Sequence, residues 1–306
     1  IIFTSGATES DNLAILGAAD FYQRKGKHVI TMTTEHKAVL DSFAQLEKNG
    51  FEVTYLNPAS DGILNLEQVL DAIRPDTILV SVMHVNNETG VIQDIEAIGA
   101  ALKNKGILFH VDAAQSVGRL KLNLDDLNID LMSFSAHKRY GPKGIGALYI
   151  RQKPRIRITP QSFGGGHEGG LRSGTLPTHQ IVGMGAAFEL AEQLREAEQA
   201  RLLDYRTRLL DSMQSISGMS LNGSVIHRIA GNLNVCFHGV ESSELLIKFQ
   251  QFAVSTASAC SSSRDAGSHV LRALGLSDAD AQSSLRFSMG RFTTEDEVKK
   301  LQGIMQ

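Results

Sequence analysis

The first half of the chain alternates short apolar runs with longer amphipathic stretches, and this alternation restricts the fold more than any other feature. Helical patterns run from about Glu9 to Tyr22, Ala38 to Lys48, Leu66 to Ile73 and Ile95 to Lys105. Between and after them lie strand-length runs at His28–Met32, Val53–Leu56, Ile78–Met83, Leu108–Val111, Leu131–Ser135 and Ile145–Ile150. Strands separated by helices predict a mostly parallel sheet with helices on both faces. Asp130–Ser135 and Gly144–Ile150, joined through Tyr-Gly-Pro-Lys-Gly, read as a hairpin-like pair that can run antiparallel. A helical stretch over about His179–Ser215, dense in Glu, Arg and Gln, bridges to a second, α+β domain with strands near Asn232–Phe237, Val254–Ser255 and Ser284–Ser288. The expected division is 1–192, a large α/β domain, and 193–306, a smaller α+β domain.

At 306 residues and 42% hydrophobic, the chain builds a core easily. Net charge is −3, with a pI near 6.4, so no global field favours nucleic acid or an anionic membrane. The longest apolar runs are strand-length and cannot span a bilayer. Two cysteines, Cys236 and Cys260, make no disulfide framework, which points to a reducing compartment. Neither they nor the histidines show the spacing of a zinc site, so no resident metal is expected. Ile-Ile-Phe-Thr-Ser reads as a strand already in progress and Glu295–Gln306 as a helix that stops, so both ends look like cuts in a longer chain.

The polar residues gather at the carboxyl ends of the strands, where open α/β sheets place ligand sites. Lys138 follows one such strand, in Met-Ser-Phe-Ser-Ala-His-Lys-Arg-Tyr-Gly-Pro-Lys-Gly (132–144), and Asp112 and Gln115 end another, Phe-His-Val-Asp-Ala-Ala-Gln (109–115). Alone, Lys138 reads equally as a solvated loop lysine and Asp112 as a helix cap. Together they are what pyridoxal phosphate requires: an amine for a Schiff base and a carboxylate for the pyridinium nitrogen. A carboxylate about 4 Å from that nitrogen at moderate dielectric is worth roughly 4 kcal/mol, about three pK units.

Ser5-Gly6-Ala7-Thr8, between a strand and a helix, offers backbone N–H donors and a hydroxyl to a phosphate, while Thr8 also reads as an ordinary helix cap. Gly164–Gly170 resembles a phosphate loop but follows no clear strand, so it reads as a flexible connection; Arg172-Ser173-Gly174-Thr175 adds a second hydroxyl-and-amide cluster. His36, at a strand end before a helix, could cap that helix or stack on a flat heterocycle. Asn86–Gly90 could hold a substrate carboxylate or a cofactor hydroxyl, or make a turn. Cys260 sits in a run of small residues, 255–263, with no apolar face, and reads as an exposed, reactive thiol; Cys236, inside Asn-Leu-Asn-Val-Cys-Phe, reads as a buried one. Arg286, in a strand of apolar and small residues, needs an anion: a substrate carboxylate or a protein one.

With these segments in order, the chain resembles the cysteine desulfurases, pyridoxal phosphate enzymes of the class V aminotransferase fold, and within them the bacterial iron–sulfur-cluster housekeeping type. The resemblance runs through Ser-Gly-Ala-Thr-Glu-Ser-Asp-Asn (5–12), Thr-Glu-His-Lys-Ala-Val (34–39), Met-His-Val-Asn-Asn-Glu (83–88), the lysine segment, Arg-Ser-Gly-Thr-Leu-Pro (172–177), Ser-Ala-Cys (258–260) and Arg-Phe-Ser-Met-Gly-Arg-Phe-Thr-Thr-Glu (286–295). It implies a seven-stranded-type sheet between helices, with a smaller domain carrying the cysteine loop. It implies Lys138 as the Schiff-base lysine, Asp112 on the ring nitrogen, Gln115 on the ring hydroxyl and His36 stacked on the ring. Ala7, Thr8, Ser135 and His137 would hold the phosphate, and Thr175 would reach the phosphate of a partner subunit in a homodimer. Asn87 would contact cofactor and substrate, and with Arg286 would grip the substrate carboxylate.

By the same resemblance, L-cysteine becomes L-alanine and the Cys260 thiolate takes the sulfur as a persulfide, with His36 or Lys138 managing protons. The sulfur would pass to iron–sulfur scaffold and sulfur-carrier proteins, for cluster assembly and tRNA thiolation, with a transient iron–sulfur contact at Cys260 as the one metal encounter. No direct nucleic-acid or membrane contact is expected, and the compartment implied is the bacterial cytoplasm ahead of a mitochondrial matrix. Relatives carry an N-terminal segment before the position of Ile1 and continue past that of Gln306, so the natural protein is expected to be longer. The sequence departs from its relatives at Gly169 and in Arg264-Asp265-Ala266-Gly267. Rival readings are a sister lyase or aminotransferase of the same fold, such as a selenocysteine lyase, and a truncated, non-catalytic assembly platform.

Overall fold

In the computed structural model, which describes residues 1–256 and 267–305, the alternation of the first half becomes one seven-stranded sheet. Its elements in chain order are β1 (Ile2–Thr4), α1 (Ala7–Tyr22), β2 (His28–Met32), α2 (Lys37–Lys48), β3 (Glu52–Leu56), α3 (Leu66–Asp71), β4 (Thr77–Ser81), α4 (Ile95–Lys103), β5 (Leu108–Asp112), β6 (Leu131–Ser135) and β7 (Gly146–Ile150). The strands lie in the order β1-β7-β6-β5-β4-β2-β3. From β6 to β3 every pairing is parallel, whereas β7 runs antiparallel to both β6 and β1. The fold is thus a mostly parallel sheet with helices on both faces.

The period-2 geometry of strands sorts neighbouring apolar residues onto opposite faces. Val29, Leu79, Leu108 and Leu131 join Leu13 and Ile15 of α1 and Phe43 of α2 in one core. Their successors Ile30, Val80, Phe109 and Met132 join Val69 of α3 and Ile98 and Leu102 of α4 in another. Because both faces are covered, β2, β4 and β5 are buried along their whole length, which is why they read as unbroken apolar runs.

The second unit is built from the later part of α5 (Thr178–Met213), β8 (Met219–Leu221), β9 (Asn232–Phe237), α6 (Ser242–Lys248), β10 (Ser255–Thr256), α7 (His269–Ala273), α8 (Asp278–Gln282), β11 (Ser284–Ser288) and α9 (Glu295–Met305). Its four strands are all antiparallel, in the order β10-β11-β9-β8. Alternate residues Leu233, Val235 and Phe237 of β9 pack with Leu285, Phe287, Leu209 and Val298 in a core of its own.

By packing, the first unit comprises Ile1–Leu56, Leu64–Val85 and Gln93–Gln193, and the second Asn57–Ile63, Asn86–Ile92 and Leu194–Gln306. A division at a single point, 192/193, does not express the two short excursions. They group with the second unit through backbone contacts: Val91 bridges to Arg228, and the Ser224 N–H donates to the Asp61 carbonyl at 2.7 Å. Among the described residues, no helix is long and apolar enough to cross a membrane.

Candidate active site

The carboxyl ends of β5 and β6 hold the chemistry-bearing residues of the first unit. These strands are parallel neighbours, with Asp112 opposite Ser133. Past Ser135 the chain makes a 3₁₀ turn, Ala136–Arg139, carrying His137 and Lys138 on its exposed side. The turn closes at Tyr140, whose φ of 65° lies in the left-handed region that side-chain-bearing residues rarely adopt. Asp112 ends β5 and is buried, and its Oδ1 accepts the Ala114 N–H at 2.9 Å. Burial raises its pKa, while the Ala114 N–H and the neighbouring His36 and Lys138 pull it down. Asp112, His36 and Lys138 therefore share one electrostatic neighbourhood. His36 is the N-cap of α2, its Nδ1 accepting the Ala38 N–H at 3.1 Å. That bond leaves Nε2 to carry the proton of a neutral ring, so capping and a second role for the ring face are compatible.

At the start of α1 the cap is Gly6, not Thr8, and no side chain accepts from the first turn. Ala7 and Thr8 therefore begin a 16-residue helix whose leading amides lack a side-chain acceptor. Gly146 of β7 pairs with Thr4 of β1 on one side and Ser135 of β6 on the other. A Cβ on Gly146 would fall 2.6 Å from both the Gly6 Cα and the Phe134 carbonyl oxygen. The missing side chain lets the start of α1 lie directly against the end of β6. There Ser135 Oγ and His137 Nδ1 are 2.7 Å apart. His137 is pushed toward neutrality by burial first, then by Lys138 and Lys143. An uncapped helix start beside a hydroxyl and an imidazole fits a phosphate, and a buried carboxylate facing His36 and Lys138 fits a pyridinium nitrogen. Pyridoxal phosphate thus fits the residues present.

Three features of this region escape sequence reading. Asp11 of α1 and Glu35 are buried carboxyls whose pKa values are raised well above the usual range, by burial first and then by Asp112. Glu35 Oε1 accepts the Met83 N–H at 2.5 Å. His110 bridges Ser81 and Ser133 at 2.8 and 2.9 Å, and burial lowers its pKa to about 3. A neutral imidazole makes its 3.6 Å approach to Asp11 a polar contact and not an ion pair. Arg119 Nη1 donates to Gln115 Oε1 at 2.5 Å, and its Nη2 donates to the Lys138 carbonyl at 3.4 Å. Gln115 is thus oriented by Arg119, and the four-residue spacing between them is the one sequence signal for this contact.

Asn87 and Arg286 belong to the second unit, where Arg286 Nη1 donates to the Asn87 carbonyl at 2.8 Å. Asn87 Oδ1 and Arg286 Nε are buried without a hydrogen-bond partner among the described residues. One lacks a donor and the other an acceptor, a pair that a ligand bearing both could complete. The adjoining Glu88 is raised to about 7, chiefly by burial, and accepts a short hydrogen bond from Ser268. Thr175 lies exposed on the connection before α5. The Gly-rich stretch contains a short 3₁₀ turn, His167–Gly170, with left-handed glycines before it and at its end. Cys236 is fully buried, as its apolar setting suggests. Cys260 lies outside the described residues.

The sheet, with this arrangement at its strand ends, is that of a pyridoxal-phosphate-dependent enzyme of the class V aminotransferase type. The family model for aminotransferase class-V matches residues 1–301. Cysteine desulfurase IscS of Tolumonas auensis is 58% identical over 306 residues, covering 100% of this chain and 76% of that protein. Cysteine desulfurase IscS of Photorhabdus laumondii is 60% identical over 298 residues, covering 97% and 74%. Among solved structures, a NifS-like protein superposes with a TM-score of 0.90 at 34% identity, covering 99% of this chain and 80% of that one. A structure titled SspA in complex with cysteine superposes at 0.83 and 40% identity, covering 96% and 82%. The chain belongs to the class V aminotransferase family and, within it, to the cysteine desulfurases.

Proposed function

We propose that this chain converts L-cysteine to L-alanine, with Cys260 as the thiol that takes up the sulfur. The observation that carries the reading is the shared neighbourhood of Asp112, His36 and Lys138, beside a helix start left open for a phosphate. When bound, pyridoxal phosphate supplies an electron sink for charge developing at the substrate Cα. In this reading Lys138 would hold the cofactor, and its amine would move the proton at the substrate Cα. Asp112 keeps the ring nitrogen protonated, and Gln115, oriented by Arg119, faces the ring hydroxyl. The His36 ring would stack on the cofactor, and Ala7, Thr8, Ser135 and His137 would hold its phosphate. Asn87 meets the cofactor or substrate through its unpaired Oδ1, and Arg286 takes the substrate carboxylate. Cys260, ionised for attack, forms a bond to the substrate sulfur as the substrate C–S bond breaks, and the carbon fragment takes up protons and leaves as alanine. The enzyme retains one extra sulfur atom as a persulfide.

We further propose a homodimer in which Thr175 serves the partner's phosphate site, supported by the exposure of Thr175 and of the apolar Phe163 and Val182. Sulfur acceptors are iron–sulfur scaffold and carrier proteins, and the setting is a bacterial cytoplasm, in keeping with the bacterial relatives. Incubation with L-cysteine followed by mass analysis should find one added sulfur on the peptide bearing Cys260. Cys260→Ala should abolish alanine formation while the yellow cofactor stays bound. Undiminished alanine formation by that variant would instead favour a lyase that needs no loop thiol.

A further inference from the structure

Cys236, His238 and Asp280 converge within the second unit, and the proposed reaction uses none of them. Cys236 and His238 are two residues apart at the end of β9, a spacing that sends strand side chains to the same face. Asp280 arrives on α8, 42 residues from His238. His238 Nδ1 lies 2.6 Å from Asp280 Oδ1 and 3.5 Å from Cys236 Sγ, and Sγ lies 3.9 Å from Oδ1. The three atoms all fall within 4.8 Å of one another.

The outer atom of each polar ligand is fixed from behind. Ser220, opposite Cys236 in the β8–β9 ladder, bonds His238 Nε2 at 2.8 Å. Ser277 Oγ donates to Asp280 Oδ2 at 2.7 Å. With Nε2 and Oδ2 engaged, Nδ1 and Oδ1 both face the thiol. Partners of this kind orient the ligands of metal sites. The bland alternative is an ion pair beside a core cysteine. That alternative requires neither the thiol within reach of both groups nor hydroxyls on both outer atoms.

We infer that Cys236, His238 and Asp280 form a binding site for a borderline divalent cation of the zinc class, with water as the fourth ligand. Bonds of about 2.0–2.3 Å in a tetrahedron set ligand atoms about 3.3–3.6 Å apart. The sulfur–nitrogen separation already matches, and the nitrogen–oxygen pair opens by about 0.7 Å when the ion replaces their hydrogen bond. Without a cation, burial pushes the thiol up to about 11, so Cys236 remains an S–H that donates to the Asp280 carbonyl at 3.3 Å. On binding, the thiol proton passes to solvent, the imidazole proton moves from Nδ1 to Nε2, where Ser220 Oγ can accept it, and lone pairs of sulfur, nitrogen and oxygen bond the ion without redox change. His238 is exposed and Asp280 half-buried, which gives the ion a route from solvent. The sequence conceals the site because its third ligand has no fixed spacing from the other two.

The test uses the full chain with cofactor bound and the Cys260→Ala substitution, so that Cys236 is the one thiol present. Zinc chloride followed by calorimetry should give one ion per chain, and zinc-edge X-ray absorption should show one sulfur at about 2.3 Å among nitrogen and oxygen neighbours. Cys236→Ser should remove the sulfur signal. His238→Asn and Asp280→Asn, on the solvent side where the core is untouched, should each weaken zinc binding by at least about tenfold. Absence of stoichiometric binding, a sulfur signal surviving Cys236→Ser, or unchanged affinity in both surface variants would overturn the site.

Discussion

Asp112 fastens its carboxylate to the turn after its own strand, Oδ1 accepting the Ala114 N–H at 2.9 Å. The same side chain thus closes a turn and carries a buried charge, and the two duties can be separated. In Asp112→Asn the amide oxygen still accepts from Ala114, while the charge near His36 and Lys138 is gone. We expect desulfuration to fall by about 10³-fold, from roughly 4 kcal/mol of lost attraction, and the cofactor-free variant to melt no lower than the parent. Steady-state rates and thermal melts check both; activity within tenfold of the parent would remove Asp112 from its proposed role.

Arg119 tethers the lysine turn from outside, through Gln115 Oε1 and the Lys138 carbonyl. Arg119→Ala should leave the fold intact and lower kcat by about 10–100-fold, the range of a lost charge-assisted hydrogen bond. A rise in KM alone, at constant kcat, would show that Arg119 does not position this turn.

Arg286 donates to the Asn87 carbonyl with Nη1 and has a buried Nε with no partner among the described residues. If that group receives the substrate carboxylate, Arg286→Lys loses the fork geometry while keeping the charge. KM for cysteine should rise by roughly tenfold or more, with cofactor binding and its absorbance unchanged. An unaltered KM would move the carboxylate elsewhere.

Glu88 gives the second unit a pH signature. Its pKa is raised from 4.5 to about 7 by burial, against the pull of Ser268 and Arg286. A raised folded-state value means the folded protein holds a proton that the unfolded chain releases. The contribution is therefore fully present below about 4.5 and is lost as pH rises through about 7, on the order of 3 kcal/mol in all. Glu88→Gln, neutral throughout, should flatten this part of the stability–pH curve and be more stable than the parent at pH 8. Denaturant melts across the range would show parallel curves if Glu88 is not the group responsible.

The sheet was legible because burial on both faces leaves strands such as β4 no polar alternation to disguise them. The β6–β7 pair was legible from its short connection. β8 was not, since Met219–Leu221 is three half-buried residues with no pattern. At the site, Lys138, Asp112 and His36 stood out through their positions at strand ends. Asp11 and Glu35 did not, because an acid inside a helix and one before a helix look like solvated residues until the topology stacks them near Asp112. Thr8 carries the usual signature of a helix cap, yet the backbone hands that position to Gly6. Sequence favours the side chain there; the close approach of β7 decides otherwise.

That approach has a further meaning. Between the uncapped start of α1 and the end of β6 that leads to Lys138 there is room for a hydrogen atom on Gly146 and nothing larger. A tight tolerance there belongs to a residue with no chemistry of its own, and a single added methyl group would pry apart two segments whose every reactive atom had been left untouched.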